Sequence, residues 1–402
     1  MEKEKLLMLC YRAPYPLRSG SEIRMYQFIE MLSEVYDIDL FYLREHEEQD
    51  AEMAPLYEKC HSVEKFRVPV PVRCLQTGIG YVFRGWPLQL GYFYSAAMYR
   101  RIKEVISGYD KVLCMHIRMM SYLMKLPTKV REGLHIYFDG IDAISMNYRN
   151  AYETSGGIKK LINGMEYRRM ETYEAKVYES VEKSILISER DRDYITKTLG
   201  VKCNPAVIYN YAIDHGYEKG VTKEKRTVAF MGKMNYAPNV DAVLWFAKEI
   251  FPALKAEYPD FEFQIIGGNA TKEVQALGQT DGISLLGFVD KPAGYLQAAT
   301  LVIAPMISGS GLQNKIVQAM YLGAPVLTTP IGAQGLFDVS QKELIIADGP
   351  EDMIRKLKKY LGDDAKEERE LIGSCARAYI EKYYSYEGVK KQVLDFFGAD
   401  KV

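Results

Sequence analysis

The sequence predicts an α/β protein of two doubly wound parallel-sheet domains facing one another across a cleft. Three observations carry that expectation. Short apolar segments alternate with helix-length segments in two successive runs along the chain. Between the runs lies a polar, strand-poor stretch, Asp214 to Arg226, with Gly216, Gly220 and a Lys/Glu cluster, which reads as a linker. The length of 402 residues is long for one core and comfortable for two.

In the first run, strands are expected at 6–10, 38–43, 111–115, 135–138 and 184–187, each short and apolar, as strands covered on both faces are. A helix over 21–36 places Ile23, Tyr26, Ile29 and Leu32 or Met31 on its inner face. A charged helix over 162–181 carries Glu166, Arg168, Arg169, Glu171, Glu174 and Lys176, mostly on its solvated side. In the second run, strands are expected at 227–231, 262–266, 283–286, 301–305, 326–329 and 343–346. Helices follow at 240–258, 312–322 and 351–361. Both runs are Rossmann-like, and such sheets place ligands at the carboxyl ends of their strands.

The stretch 301–329 is the most informative. An apolar strand leads into Ser308-Gly309-Ser310-Gly311, then a helix in which Leu312, Ile316 and Met320 recur every four residues. Gly323 and Pro325 supply the stop. A Gly/Ser loop opening a helix turns backbone N–H groups and a positive dipole end outward, which suits a phosphate. Lys315 can reach such an anion, and Gln318 lies three residues on, on the same side. Any α/β protein also has glycine in strand-to-helix loops, so the loop alone proves little.

Composition narrows the classes. A formal net charge of -1 gives no electrostatic case for nucleic-acid binding. No uninterrupted apolar run approaches the ~18 residues of a membrane span. The charged start, Met1 to Lys5, runs straight into an apolar strand and does not read as a secretory signal. Six cysteines without CxxC pairs read as reduced thiols of a cytoplasmic protein. Five scattered histidines lack metal-ligand spacing, so no metal is expected. The segment 66–99 stands apart: Tyr81, Phe83, Trp86, Tyr92, Phe93 and Tyr94 are interleaved with Arg67, Arg73 and Arg84. It reads either as a peripheral contact with a lipid headgroup or lipid-linked acceptor, or as aromatics packed over a sheet face.

Several motifs, in this order and spacing, resemble the retaining glycosyltransferases of family four, which have the two-domain GT-B fold. Residues 14–24, around Gly20, are similar to that family's Gly-containing loop after the first strand. Val207-Ile208-Tyr209-Asn210 resembles its junction segment, with Tyr211 where glycine is usual. Residues 230–242, from Phe230-Met231-Gly232-Lys233 to Asp241-Ala242, look like the opening of its donor domain. Ile266-Gly267-Gly268 and Leu286-Gly287-Phe288-Val289 are similar to its turns beside the base. The resemblance implies an acceptor-binding domain over 1–210, a nucleotide-sugar-binding domain over 211–380, and a last helix, 381–402, returning to the first.

It further implies roles. Gly232 would let backbone approach the donor closely, Gly20 would bring N–H groups toward the phosphates or form a tight turn, and Gly267 would lie in a turn beside the base. Ser308, Gly309, Ser310 and Gly311 would offer amides to the diphosphate, with Lys233 and Lys315 as cations. Phe288 and Val289 would flank the base, core packing being the other reading of Phe288. His116 would lie near the transferred sugar. Arg118 would bind an acceptor phosphate or pair with a surface acid, and Asp139 would orient an acceptor hydroxyl or cap the next helix. Where the family carries two glutamates, this chain has Ser310 and Gln318. Gln318 can still bond a ribose hydroxyl, without charge assistance.

The implied reaction moves a sugar from a UDP- or GDP-linked donor to a glycan or lipid-linked acceptor with retention, in cell-surface polysaccharide synthesis. It requires no metal or cofactor and places the protein in a bacterial cytoplasm or at the inner face of the membrane. A non-catalytic relative that binds the donor and partners an active transferase is the rival reading. A dehydrogenase is disfavoured, since no G-x-G-x-x-G follows the first strand.

Overall fold

The computed structural model describes residues 3–44, 51–212, 216, 221–223, 225–309 and 311–399. The chain divides into two compact units, one of Met1–Asn210 with Lys390–Val402, the other of Tyr211–Val389. Each is built on one wholly parallel sheet with helices between successive strands, so both are doubly wound α/β units.

The first unit holds β1 (Glu4–Cys10), β2 (Tyr36–Arg44), β3 (Ser62–Arg67), β4 (Lys111–Met115), β5 (His135–Ile141), β6 (Lys183–Leu186) and β7 (Ala206–Val207). Their spatial order is β3-β2-β1-β4-β5-β6-β7. Leu6, Leu7, Met8 and Leu9 are all fully buried, which is why β1 reads as an unbroken apolar run. The principal helices are α1 (Gly20–Leu32), α2 (Val70–Arg84), α3 (Ile117–Leu123), α4 (Ile144–Thr154) and α5 (Gly157–Ser180).

Two expectations need correction here. α1 ends at Leu32, and Tyr36 already opens β2. The buried positions of α1 include Met25, Phe28, Ile29 and Leu32, at i, i+3, i+4 and i+7, whereas Ile23 and Tyr26 are half-buried. On α5, Glu166 and Glu174 are buried rather than solvated. The Glu174 carboxylate accepts the Ile144 (2.9 Å) and Ser145 (3.1 Å) N–H groups and caps the start of α4. Glu166 accepts the Leu88 N–H at 2.9 Å.

The second unit holds β8 (Thr227–Met231), β9 (Glu262–Ile266), β10 (Ile283–Gly287), β11 (Leu301–Ala304), β12 (Val326–Thr328) and β13 (Ile345–Ile346), in the order β10-β9-β8-β11-β12-β13. The helix expected over 240–258 is two, α6 (Ala237–Glu249) and α7 (Phe251–Glu257), parted where Pro252 enters. They are followed by α8 (Asn314–Tyr321), α9 (Gly349–Leu361) and α10 (Lys366–Tyr383), after which α11 (Tyr386–Phe397) belongs from Lys390 on to the first unit. The expected linker 214–226 lies largely outside the described residues.

Phe397, at the end of α11, stacks on Tyr137 of β5 with ring centroids 4.2 Å apart, and the Phe396 carbonyl accepts from Lys183 Nζ at 2.7 Å. All six cysteines are free, with Cys10 and Cys114 buried in strands. Among the described residues, no helix is long and apolar enough to cross a membrane.

Candidate functional site

In the second sheet the winding reverses between β8 and β11: β9 and β10 follow on one side, β12 and β13 on the other. At such a switch point the loops after the two central strands part and leave a crevice at their carboxyl ends. Residues 232–236 leave β8, and residues 305–313 leave β11. Nine expected ligand-binding positions among the described residues gather at this strand edge: Gly232 and Lys233 after β8, Gly267 after β9, Phe288 and Val289 after β10, and Ser308, Gly309, Gly311 and Lys315 after β11.

Backbone contacts tie the first three loops together. The Gly232 N–H donates to Ile266 O (2.9 Å), Gly267 N–H to Gly287 O (2.8 Å) and Met234 N–H to Gly268 O (3.0 Å). Gly267 has φ +152°, and a Cβ there would overlap the Gly232 carbonyl. A Cβ on Gly232 would stand 2.6 Å from Asn239 Nδ2, so the room freed at this glycine is taken by Asn239, itself bonded to the Lys233 carbonyl at 3.1 Å. The missing side chains thus serve the closeness of the loops to one another. Lys233 is exposed on the resulting platform.

Phe288 follows Gly287, whose φ is +69°, and is 79% exposed. Core packing, one of its two sequence readings, is therefore wrong for this ring. Val289 is half-buried.

The β11 loop differs from expectation in one respect. α8 begins at Asn314 with Gln313 as N-cap, so Leu312 and Gln313 separate the glycines from the helix. Gly309 and Gly311 adopt φ +117° and +69°, and the Gly309 carbonyl accepts from Gln334 Nε2 at 3.2 Å. Ser308 Oγ donates to Asp241 Oδ2 at 3.2 Å. Ser310 lies outside the described residues. Leu312, Ile316 and Met320 are buried as their spacing implies, and Gln318 is half-buried one turn beyond Lys315.

Lys315 is the unusual group. Its ammonium donates to Gln313 Oε1 at 2.8 Å, lies 3.7 Å from Met306 Sδ and faces the Phe230 ring at 5.6 Å. Among the described residues no carboxylate forms an ion pair with it. Burial without a compensating anion lowers its pKa to about 8. An incoming anion restores the charged form. The sign follows: below about pH 8 the ammonium is charged and binds an anion fully, and above it the cation is lost. Diphosphate affinity is therefore expected to fall between pH 7 and 9. Titration with inorganic pyrophosphate at both values checks this, and a flat profile contradicts it.

In the first sheet the winding reverses between β1 and β4. Gly20 is the first residue of α1, behind the N-cap Ser19, whose Oγ lies 3.2 Å from that of Ser21. His116 directly follows β4 and holds φ +80°, a strained value for a non-glycine residue. Its Nδ1 accepts the Arg118 N–H at 3.3 Å, which leaves the proton on Nε2. Burial, then the charges of Arg118 and Arg12, hold its pKa well below the usual histidine range. It is a neutral hydrogen-bond donor at pH 7.

The Arg118 guanidinium lies over Phe93 (4.2 Å) and Tyr11 (4.5 Å), and Nε donates to Gln89 Oε1 at 2.7 Å. Asp139 is not a helix cap. It sits inside β5, which runs three residues past the expected end, and accepts Arg24 Nε at 2.6 Å and Nη2 at 3.2 Å. Arg24 Nη1 also donates to Ile208 O (2.8 Å) and Asn210 Oδ1 (3.1 Å). Both partners of this ion pair have fully buried side chains. The sequence reading did not pair Arg24, within residues 14–24, with Asp139. An arginine beside the apolar positions Met25, Phe28 and Ile29 was the available signal.

Residues 225–363 match the family described as glycosyl transferases group 1. Over 355 residues the chain is 22% identical to an uncharacterized 44.6 kDa protein in the cps region of Klebsiella pneumoniae, covering 85% of this chain and 87% of that one. The fold is shared with Anabaena HepE, solved in complex with UDP and glucose, at TM-score 0.69 and 13% identity over 98% of this chain and 100% of that one. It is shared too with a variant of S. aureus TarM in complex with fondaparinux, α-GlcNAc-glycerol and UDP, at TM-score 0.70 and 14% identity over 98% and 99%.

Proposed function

We propose that this chain, whose residues 225–363 match the glycosyl transferases group 1, transfers a sugar with retention from a UDP-linked donor to a glycan or lipid-linked acceptor in cell-surface polysaccharide assembly. The observation that carries the reading is Lys315: a desolvated ammonium without a carboxylate partner among the described residues, at the switch point of its sheet. UDP is favoured over GDP because HepE and TarM were solved with it. The cps-region relative supports the polysaccharide setting.

In this reading the bond from the anomeric carbon to the β-phosphate oxygen breaks, and negative charge grows on the departing diphosphate. Lys315, the exposed Lys233 and the amides of the Gly309 and Gly311 loop stabilise that charge. Gln318 bonds a ribose hydroxyl. The acceptor hydroxyl forms the new bond on the face the phosphate leaves, and its proton passes to a phosphate oxygen. The neutral His116 offers its Nε2–H to a sugar hydroxyl.

The base rests on Phe288. Phe288→Ala is expected to weaken UDP binding roughly 5- to 100-fold, the range of one aromatic–base stack, with no change in thermal stability because the ring is exposed. Calorimetric titration with UDP and GDP tests the reading, followed by product analysis with UDP-sugars. Binding without hydrolysis or transfer supports the rival, a non-catalytic donor-binding relative.

A further inference from the structure

We propose that the Asp241 carboxylate accepts hydrogen bonds from hydroxyls of the donor sugar and selects a neutral sugar over an acidic one. The inference rests on the nucleotide-sugar reading of the β8–β11 crevice and adds which end of the β11 loop faces the sugar. Asp241 is exposed on α6, and its Oδ2 accepts Ser308 Oγ at 3.2 Å. Among the described residues this is its one hydrogen bond, and no lysine or arginine pairs with it.

The helix itself does not account for this carboxylate. α6 begins at Ala237, so Asp241 is its fifth residue, beyond the first turn whose open N–H groups an acid would cap. Pro238 stands three residues earlier on the same face, and a Cβ on Gly309 would lie 3.6 Å from its Cβ. Pro238 and Asp241 thus meet successive residues of the β11 loop, Gly309 and Ser308. The two contacts lay the loop along α6, with Asp241 Oδ1 beside it and without a hydrogen bond among the described residues.

Charge then divides the loop. At its far end Lys315 Nζ donates to Gln313 Oε1 at 2.8 Å, and Gln313 Nε2 would stand 3.7 Å from a Cβ on Gly309. One side chain therefore spans from the ammonium to Gly309, and the residue before it, Ser308, touches a carboxylate. A diphosphate is drawn to the Lys315 end and repelled from the Asp241 end. A carboxylate oxygen with open lone pairs takes O–H groups, and such charge-assisted bonds are the stronger kind. The ribose belongs with Gln318, one turn beyond Lys315, which leaves the transferred sugar for Asp241. A sugar with its own carboxylate would meet like charge there.

Calorimetric titration of the wild type, Asp241→Ala and Asp241→Asn tests this, with UDP, UDP-glucose, UDP-galactose, UDP-N-acetylglucosamine and UDP-glucuronate as probes. UDP is expected to bind all three proteins alike. The neutral UDP-sugar that the wild type prefers should bind Asp241→Ala about 10- to 100-fold more weakly, the range of a lost hydrogen bond to a charged group. Asparagine keeps an acceptor oxygen without the charge, so its loss should be smaller, and UDP-glucuronate should bind it better than the wild type. Circular dichroism should be unchanged in both variants, because the side chain is exposed. Equal weakening of UDP and the UDP-sugars would put the ribose at Asp241, and unchanged UDP-sugar affinity would leave the carboxylate without a ligand. Either result overturns the proposal while the nucleotide site stands. Absence of UDP binding to the wild type refutes the nucleotide reading itself, and this inference with it.

Discussion

Lys315→Met is expected to slow sugar transfer on the order of 30- to 1,000-fold, the range of losing about 2–4 kcal/mol of charge stabilisation on the leaving group. Methionine keeps most of the alkyl length, so packing against Met306 and Phe230 is retained. The loss should fall mainly on kcat, because the leaving diphosphate gains charge as the sugar departs. Stability separates this role from a structural one. Burial without a carboxylate partner lowers the Lys315 pKa to about 8, so in the unliganded protein the ammonium carries a desolvation penalty at pH 7. Removing it should leave the melting temperature unchanged or higher while turnover collapses. Lost stability with retained turnover would make Lys315 a packing residue.

Asp139→Ala should be the most destabilising single change in the first unit. It leaves the Arg24 guanidinium buried without its carboxylate, a situation that costs about 3–5 kcal/mol. For a unit of this size that corresponds to a fall of roughly 6–20 °C in melting temperature. The pair joins α1 to β5, and Arg24 also holds the Ile208 carbonyl and the Asn210 side chain at the end of the unit. A double replacement by apolar residues is expected to recover part of the loss only, because the Arg24 bonds to Ile208 O and Asn210 Oδ1 are not replaced. Urea or thermal denaturation reads the effect, and a shift below about 1 kcal/mol contradicts it.

The strands were the most legible part of the sequence, for a physical reason. β4, β8 and β9 begin and end at the expected residues, because each carries a short run of buried apolar positions and stops at a loop of different composition. β3 was missed: as an edge strand it alternates exposed and half-buried positions, and its Glu64 and Lys65 break the apolar signal. α2 was hidden by its punctuation. Pro71 lies in its first turn, where a missing N–H costs nothing, and Gly85 at φ +63° is its C-cap, so residues that read as breakers are its ends.

Sequence spacing puts Gly232, Gly267 and Phe288 just after strands of one sheet and Lys315 in the helix that follows β11, and the structure has them there. What no spacing carries is the environment. The exposure of Phe288, the desolvation of Lys315 and the use of the glycines by neighbouring loops arise only when four strand ends converge. The Arg24–Asp139 pair spans 115 positions, and nothing local marks either residue as the other's partner.

Calorimetric titration of the wild-type chain and of Lys315→Met with UDP at pH 7 tests the central claim most directly. Saturable binding to the wild type, weakened at least about tenfold in the variant with the fold intact by circular dichroism, is the predicted result. Equal affinity in the two proteins, or no binding to either, would contradict the assignment of the β8–β11 crevice as the nucleotide site.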